Sequence, residues 1–110
     1  GVVQTFTEPK EIKPDTLYLV GDWEFTDEYL ESKSKNAKII FRYTAKNVFF
    51  VGSSNEENNV KILKDGSVYK NLKIQNEELY SLIEDSASGT HTLEIHIPEP
   101  GVQAFTFTFG

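Results

Sequence analysis

The chain contains no cysteine and no methionine among its 110 residues. The first absence excludes disulfides, thiolate metal sites and thiol chemistry within this domain, and leaves hydrophobic packing to supply its stability. The second means that Gly1 is not a natural start, so the chain reads as a piece of a longer protein. No apolar stretch approaches the roughly 20 residues that a membrane-spanning helix needs, and no direct membrane insertion by this domain is expected. Basic residues are scarce: 11 Lys and Arg stand against 17 Asp and Glu, for a net charge of -6. Such a chain repels phosphate backbones, which argues against a nucleic-acid partner. Lys33, Lys35 and Lys38 make no basic run, because Ser34, Asn36 and Ala37 dilute them. No Gly-rich phosphate loop precedes a helix, and no Ser-His-Asp set has a local signature.

What the chain does have is alternation. Phe105, Phe107 and Phe109 interleave with Thr106 and Thr108, the period of a strand with one apolar face. Leu17–Phe25 puts Leu19, Trp23 and Phe25 on one face, with Gly21 marking a bulge or a close backbone approach. Tyr29-Leu30 suggests a short strand. Ala37–Thr44 and Val48–Val51 read as two strands joined by a hairpin turn at Ala45-Lys46-Asn47. Val60–Leu63 leads into Asp65-Gly66, the strongest two-residue turn signal in the chain. Ser67–Tyr69, Leu72–Ile74 and Leu79–Ile83 are further short strands, although Asn76–Ile83 also suits a turn or two of helix. Glu84–Gly89 reads as a loop, and Thr90–Ile97 alternates cleanly until Pro98 and Pro100 stop it. Residues 1–16, with Pro9 and Pro14 and no period, read as a linker or N-terminal arm, and residues 17–110 as one module. About eight or nine short strands at this spacing predict an all-β, antiparallel, jelly-roll-like β-sandwich. Its expected core is Leu19, Ile39, Phe41, Phe50, Ile62, Leu93, Ile95, Phe105 and Phe107.

Residues able to do chemistry are few. His91 and His96 share one strand at an odd offset, on opposite faces, which does not suit a shared metal. Asp22, Glu24, Asp27, Glu28 and Glu31 form the densest acidic cluster, either calcium ligands or a solvated strand face. The Ser53–Asn59 loop, with Glu56, Glu57, Asn58 and Asn59, has the same two readings. No catalytic residue is assigned, and the metal question stays open. Sugar-binding sandwiches stack pyranose rings on exposed aromatics, and two residues are candidates for that role. Trp23 shares the parity of Leu19 and Phe25, which favours the core, whereas Tyr69 sits near the Asp65-Gly66 turn between Lys64 and Lys70.

Several segments in order carry a family resemblance. They are Gly21-Asp22-Trp23 with Glu28-Tyr29, Ala37-Lys38-Ile39-Ile40-Phe41-Arg42-Tyr43, and Ala45-Lys46-Asn47-Val48. Val60-Lys61-Ile62-Leu63-Lys64-Asp65-Gly66, Leu79-Tyr80-Ser81-Leu82-Ile83 and His91-Thr92-Leu93-Glu94-Ile95 follow, and the chain closes on Pro100-Gly101-Val102-Gln103-Ala104-Phe105-Thr106-Phe107-Thr108-Phe109-Gly110. This order resembles the C-terminal domain of DipZ-type, thioredoxin-like bacterial proteins, over residues 17–110. The resemblance implies a β-sandwich similar to carbohydrate-binding modules, acting as a non-catalytic accessory beside a thioredoxin-like domain of the same chain. It also implies an extracytoplasmic location, in the periplasm or cell envelope, and a glycan as partner. The family's redox Cys-x-x-Cys has no counterpart here, so no catalytic residue is carried over. The alternative reading is a structural domain that packs on the thioredoxin domain or mediates dimerisation.

Overall fold

A computed structural model describes residues 1–110 and contains eight strands and no helix. They are β1 (Val2–Phe6), β2 (Leu17–Phe25), β3 (Leu30–Ser32), β4 (Ala37–Ser54), β5 (Asn58–Lys64), β6 (Ser67–Ile74), β7 (Glu78–Ile97) and β8 (Val102–Phe109). All pairings between strands are antiparallel, in the order β1-β2-β3-β8-β4-β7-β5-β6. A further pairing of β2 with β4 closes β2, β3, β8 and β4 into a ring.

The expected strand β2 has the bounds read from the sequence. Its Leu17–Val20 half pairs with β4, and its Trp23–Phe25 end pairs with β3. Gly21 sits at the changeover with φ 96°. A Cβ there would lie 2.8 Å from the Ser34 hydroxyl and 3.3 Å from Ala37, so the position needs both a left-handed backbone and the space of a missing side chain.

Two expected breaks in the chain are not breaks. Ala45-Lys46-Asn47 is no hairpin turn: β4 runs straight through it. The amides of Lys46 and Asn47 both donate to the Gly110 carbonyl at 2.9 Å, so the end of the chain holds this polar stretch extended. Glu84–Gly89 likewise belongs to β7, which bulges there: Ala45 pairs with Gly89, while Asn47 pairs with Glu84. β4 and β7 thus serve both ends of the molecule, β4 exchanging β2 for β8 along its length. Leu79–Ile83 is strand, not helix. The segment read as an arm contains strand β1, paired with β2, and Asp15 donates its amide to the Arg42 carbonyl at 2.8 Å.

The core gathers Leu19, Ile39, Phe50, Ile62, Leu93 and Ile95 as expected, with Trp23, Val60, Leu82, Ile83, Ile97 and Val102. Phe41 and Phe107 are only partly buried against it. Phe105 leaves the core altogether. A register shift between Val51 and Gly52 skips Phe105 in the pairing of β8 with β4, which reverses the strand's parity. Val102 and Ala104 therefore face in before the bulge and Phe107 after it, and Phe105 packs on Tyr29 at 5.3 Å. A second bulge opposite Val48 and Phe49 lets both Leu82 and Ile83 be fully buried. The Asp65-Gly66 hairpin forms as read, with φ values of 52° and 83° at its two central residues, as such a tight turn requires.

Candidate functional site

On the solvent side of β4, β7 and β5, polar residues alternate with the buried Ile39, Ile62 and Ile95. Antiparallel pairing aligns three of them: Lys38 opposes His96, and His96 opposes Lys61. Side chains in register across neighbouring strands share a face, so the three form one row. The row is the floor of a concavity of about 260 Å³, completed by Asn36, Asn59, Ile97 and Pro98. The Asn36 amide donates to the Pro98 carbonyl at 3.1 Å, and Asn36 adopts φ 58°, a left-handed conformation that Asn tolerates. Asn58 donates its side-chain amide to the Glu99 carbonyl at 2.7 Å, which ties the start of β5 to the same turn and leaves Asn59 lining the concavity. Lys38 meets Glu8 at 2.6 Å and His96 meets Glu94 at 2.9 Å. The site thus offers ammonium, imidazole and amide groups, suited to hydroxyl and carboxylate oxygens.

Neither aromatic singled out from the sequence lines this concavity. Trp23 is fully buried and donates its indole N–H to the Val20 carbonyl at 3.0 Å, so it has no free face for a sugar ring. Its parity with Leu19 carries it inward. Tyr69 is 37% exposed, but its hydroxyl is bound to both backbone groups of Glu84, and Lys64 Nζ lies 5.8 Å from its ring centre. It belongs to a separate cluster around the Asp65-Gly66 turn. There His91 Nδ1 lies 2.6 Å from Asp65, and Lys64 pairs with Asp85 at 2.8 Å. Burial, and then the charges of Asp85 and Asp65, push the Tyr43 phenol up to about 12.

The acidic cluster is dispersed. Asp22 accepts from the Thr5 hydroxyl at 2.6 Å, and Lys33 joins Glu24 and Glu31 at 3.2 and 2.6 Å. Burial pushes the Glu31 carboxyl up, but hydrogen bonds from Lys33 and Gln103 outweigh it and hold the group below the usual carboxylate range. Asp27 and Glu28 are exposed in the loop beyond. The segment read as a Ser53–Asn59 loop is mostly strand, Ser53 and Ser54 ending β4 and Asn58 and Asn59 opening β5; Ser53 donates to Gln103 and Glu57 faces Lys73. No three His, Asp or Glu side chains converge as metal ligands would.

A family model described as the thioredoxin-like C-terminal domain matches residues 1–110. The chain belongs to that family. Among solved structures, the thioredoxin-like C-terminal domain is similar to a family two carbohydrate esterase from Clostridium thermocellum in complex with cellohexaose (TM-score 0.73, 18% identity, covering 80% of this chain and 29% of that one). It is also similar to a family two carbohydrate esterase from Cellvibrio japonicus (TM-score 0.74, 15% identity, covering 84% and 30%). A family 6 carbohydrate-binding module matches over nearly all of both chains, 99% and 92%, with TM-score 0.58 and 12% identity. The domain spans only about three-tenths of the length of those esterases. At these identities the likeness is one of fold. No curated protein sequence matches the domain.

The sequence reading names Asn59 only in the loop weighed for calcium, Lys38 and Asn36 only in excluding a basic run, and His96 only on a polar face, and it gives Lys61 no site role. Parity with the buried isoleucines was the available signal. It marks each residue as outward-facing but does not say which strands lie side by side.

Proposed function

We propose that this domain is a non-catalytic, glycan-binding accessory module of a thioredoxin-like protein, working outside the cytoplasm in the cell envelope. The observation that carries the reading is the polar concavity across β4, β7 and β5, on a fold shared with a carbohydrate-binding module. Sugars are recognised through many hydroxyls, and Asn36, Asn59, His96 and two lysines converge there as donors and acceptors. We read the closed ring of strands as the jelly-roll-like sandwich common among such modules. Both histidines are held by carboxylates, His91 by Asp65 and His96 by Glu94, which suits structural and binding roles.

The test is calorimetric titration of the domain with a panel of cell-wall oligosaccharides. Saturable binding that His96→Ala and Lys61→Ala both weaken supports the reading. Saturable binding that neither variant changes places the ligand elsewhere and overturns the assignment of this face.

A second reading, a structural domain packing on the thioredoxin domain or mediating dimerisation, has its own support. Leu17, Tyr29, Leu30, Phe105 and Phe107 line an apolar hollow of about 260 Å³. Leu17 is exposed there, and apolar hollows of this kind suit protein contacts better than sugars.

A further inference from the structure

We propose that the concave face takes a sugar bearing a carboxylate, and that Glu8 is the group which such a carboxylate displaces. This rests on the glycan-module reading and narrows it. In a domain of net charge -6, the row Lys38–His96–Lys61 brings two lysines onto one face, with Glu8 and Glu94 as the carboxylates paired to it. Neighbouring strands lie about 4.8 Å apart, so the row sets its groups across roughly 10 Å of surface. That breadth suits a short oligosaccharide with acidic groups.

The charges facing the row divide into fixed and removable ones. Glu94 is a strand residue of β7, mostly buried, and holds His96 in place. Glu8 lies in the segment between β1 and β2, outside any strand, with its side chain 58% exposed. Its carboxylate nevertheless sits 2.6 Å from Lys38, which lines the concavity, while Glu8 itself lines the separate hollow beside Leu17 and Tyr18. A carboxylate on the ammonium of a residue that lines the site is the contact an acidic sugar would make, here supplied by the chain itself. Exposed ion pairs are weak, so an incoming carboxylate replaces Glu8 readily. Lys61 is exposed, with no carboxylate paired to it, and stands ready for a second acidic group. Asn36 and Asn59 remain for ring hydroxyls.

The experiment is calorimetry on the whole domain with trigalacturonate and with cellotriose, backed by amide chemical-shift mapping. Inorganic phosphate serves as a competitor. Trigalacturonate should bind about tenfold more tightly than cellotriose, and added salt should weaken it. Glu8→Gln should tighten trigalacturonate several-fold and leave cellotriose unchanged, while Lys61→Ala should weaken trigalacturonate about tenfold. Unchanged amide spectra outside the site will show that each variant is folded. If cellotriose binds the same residues as tightly as trigalacturonate, the acidic preference is wrong and the module reading stands. If neither sugar binds, both readings fail. If phosphate displaces trigalacturonate at equal concentration, the face is a general anion site and the proposal is overturned.

Discussion

Lys38 and His96 stand directly opposite one another on β4 and β7, with Glu94 holding the imidazole at 2.9 Å. The pair belongs to the outer face of the sheet, whose inner face is formed by Ile39 and Ile95. The outer-face side chains are therefore separable from the core on these strands. His96→Ala should change unfolding free energy by less than about 1 kcal/mol, because it removes a surface contact and opens no cavity. It should weaken any ligand bound on the concave face. Urea unfolding and a binding titration of the same variant check the two halves.

Trp23 should behave in the opposite way. It is fully buried and satisfies its indole N–H on the Val20 carbonyl. Trp23→Ala leaves a large cavity and should cost about 3–5 kcal/mol of stability. Trp23→Phe should cost less, since it keeps most of the packing and loses the hydrogen bond. The midpoints of urea unfolding measure both, and a Trp23→Ala domain as stable as the parent would contradict the placement of this ring.

Two glycines with left-handed backbones should respond unequally to alanine. Gly66 has φ 83° and open space around a new Cβ, so Gly66→Ala should cost about 1 kcal/mol of backbone strain. Gly21 has φ 96° and no room beside Ser34 and Ala37. Gly21→Ala should cost at least about 2 kcal/mol, the strain together with a steric clash. Thermal unfolding of the two variants side by side gives the comparison.

The pH dependence of stability has an acid limb and an alkaline limb. Glu31 and Asp65 have carboxyls held below their usual range. Burial raises Glu31, but its bonds to Lys33 and Gln103 prevail; the Thr92 amide and His91 lower Asp65. Their contribution is present above the unfolded values near 4 and is lost as pH falls through the folded ones. Glu31 should matter more, because Asp65 is half exposed and screened. Tyr43 lies at about 12, raised by burial and then by Asp85 and Asp65. Its contribution is present below the unfolded value near 10 and is lost as pH rises through the folded one. Tyr43→Phe should remove the high-pH phenol from the ultraviolet titration. It should also leave stability at neutral pH unchanged or raise it by up to about 1 kcal/mol, since the buried hydroxyl has no hydrogen-bond partner.

Local alternation made much of the fold legible. β2, β8, the Asp65-Gly66 turn and six of the nine expected core residues follow from period and turn chemistry. The long strands β4 and β7 did not follow, because the polar stretches at Ala45–Asn47 and Glu84–Gly89 look like turns in sequence. They stay extended through remote partners, above all the Gly110 carbonyl on Lys46 and Asn47. Phe105 was misassigned because a bulge reverses parity in mid-strand. The concave site was hidden for a related reason. Lys38, Lys61 and His96 lie far apart in the chain, and only the pairing of β4, β7 and β5 makes them neighbours.

The most direct test of glycan binding on the concave face is an amide chemical-shift titration, first with cell-wall oligosaccharides and then with a thioredoxin-like domain. The expected result is localised shifts at Asn36, Lys38, Asn59, Lys61 and His96 on adding sugar. The contradicting result is no shift with any sugar, with shifts around Leu17, Tyr29 and Phe105 on adding the thioredoxin-like domain, which would make this a structural domain.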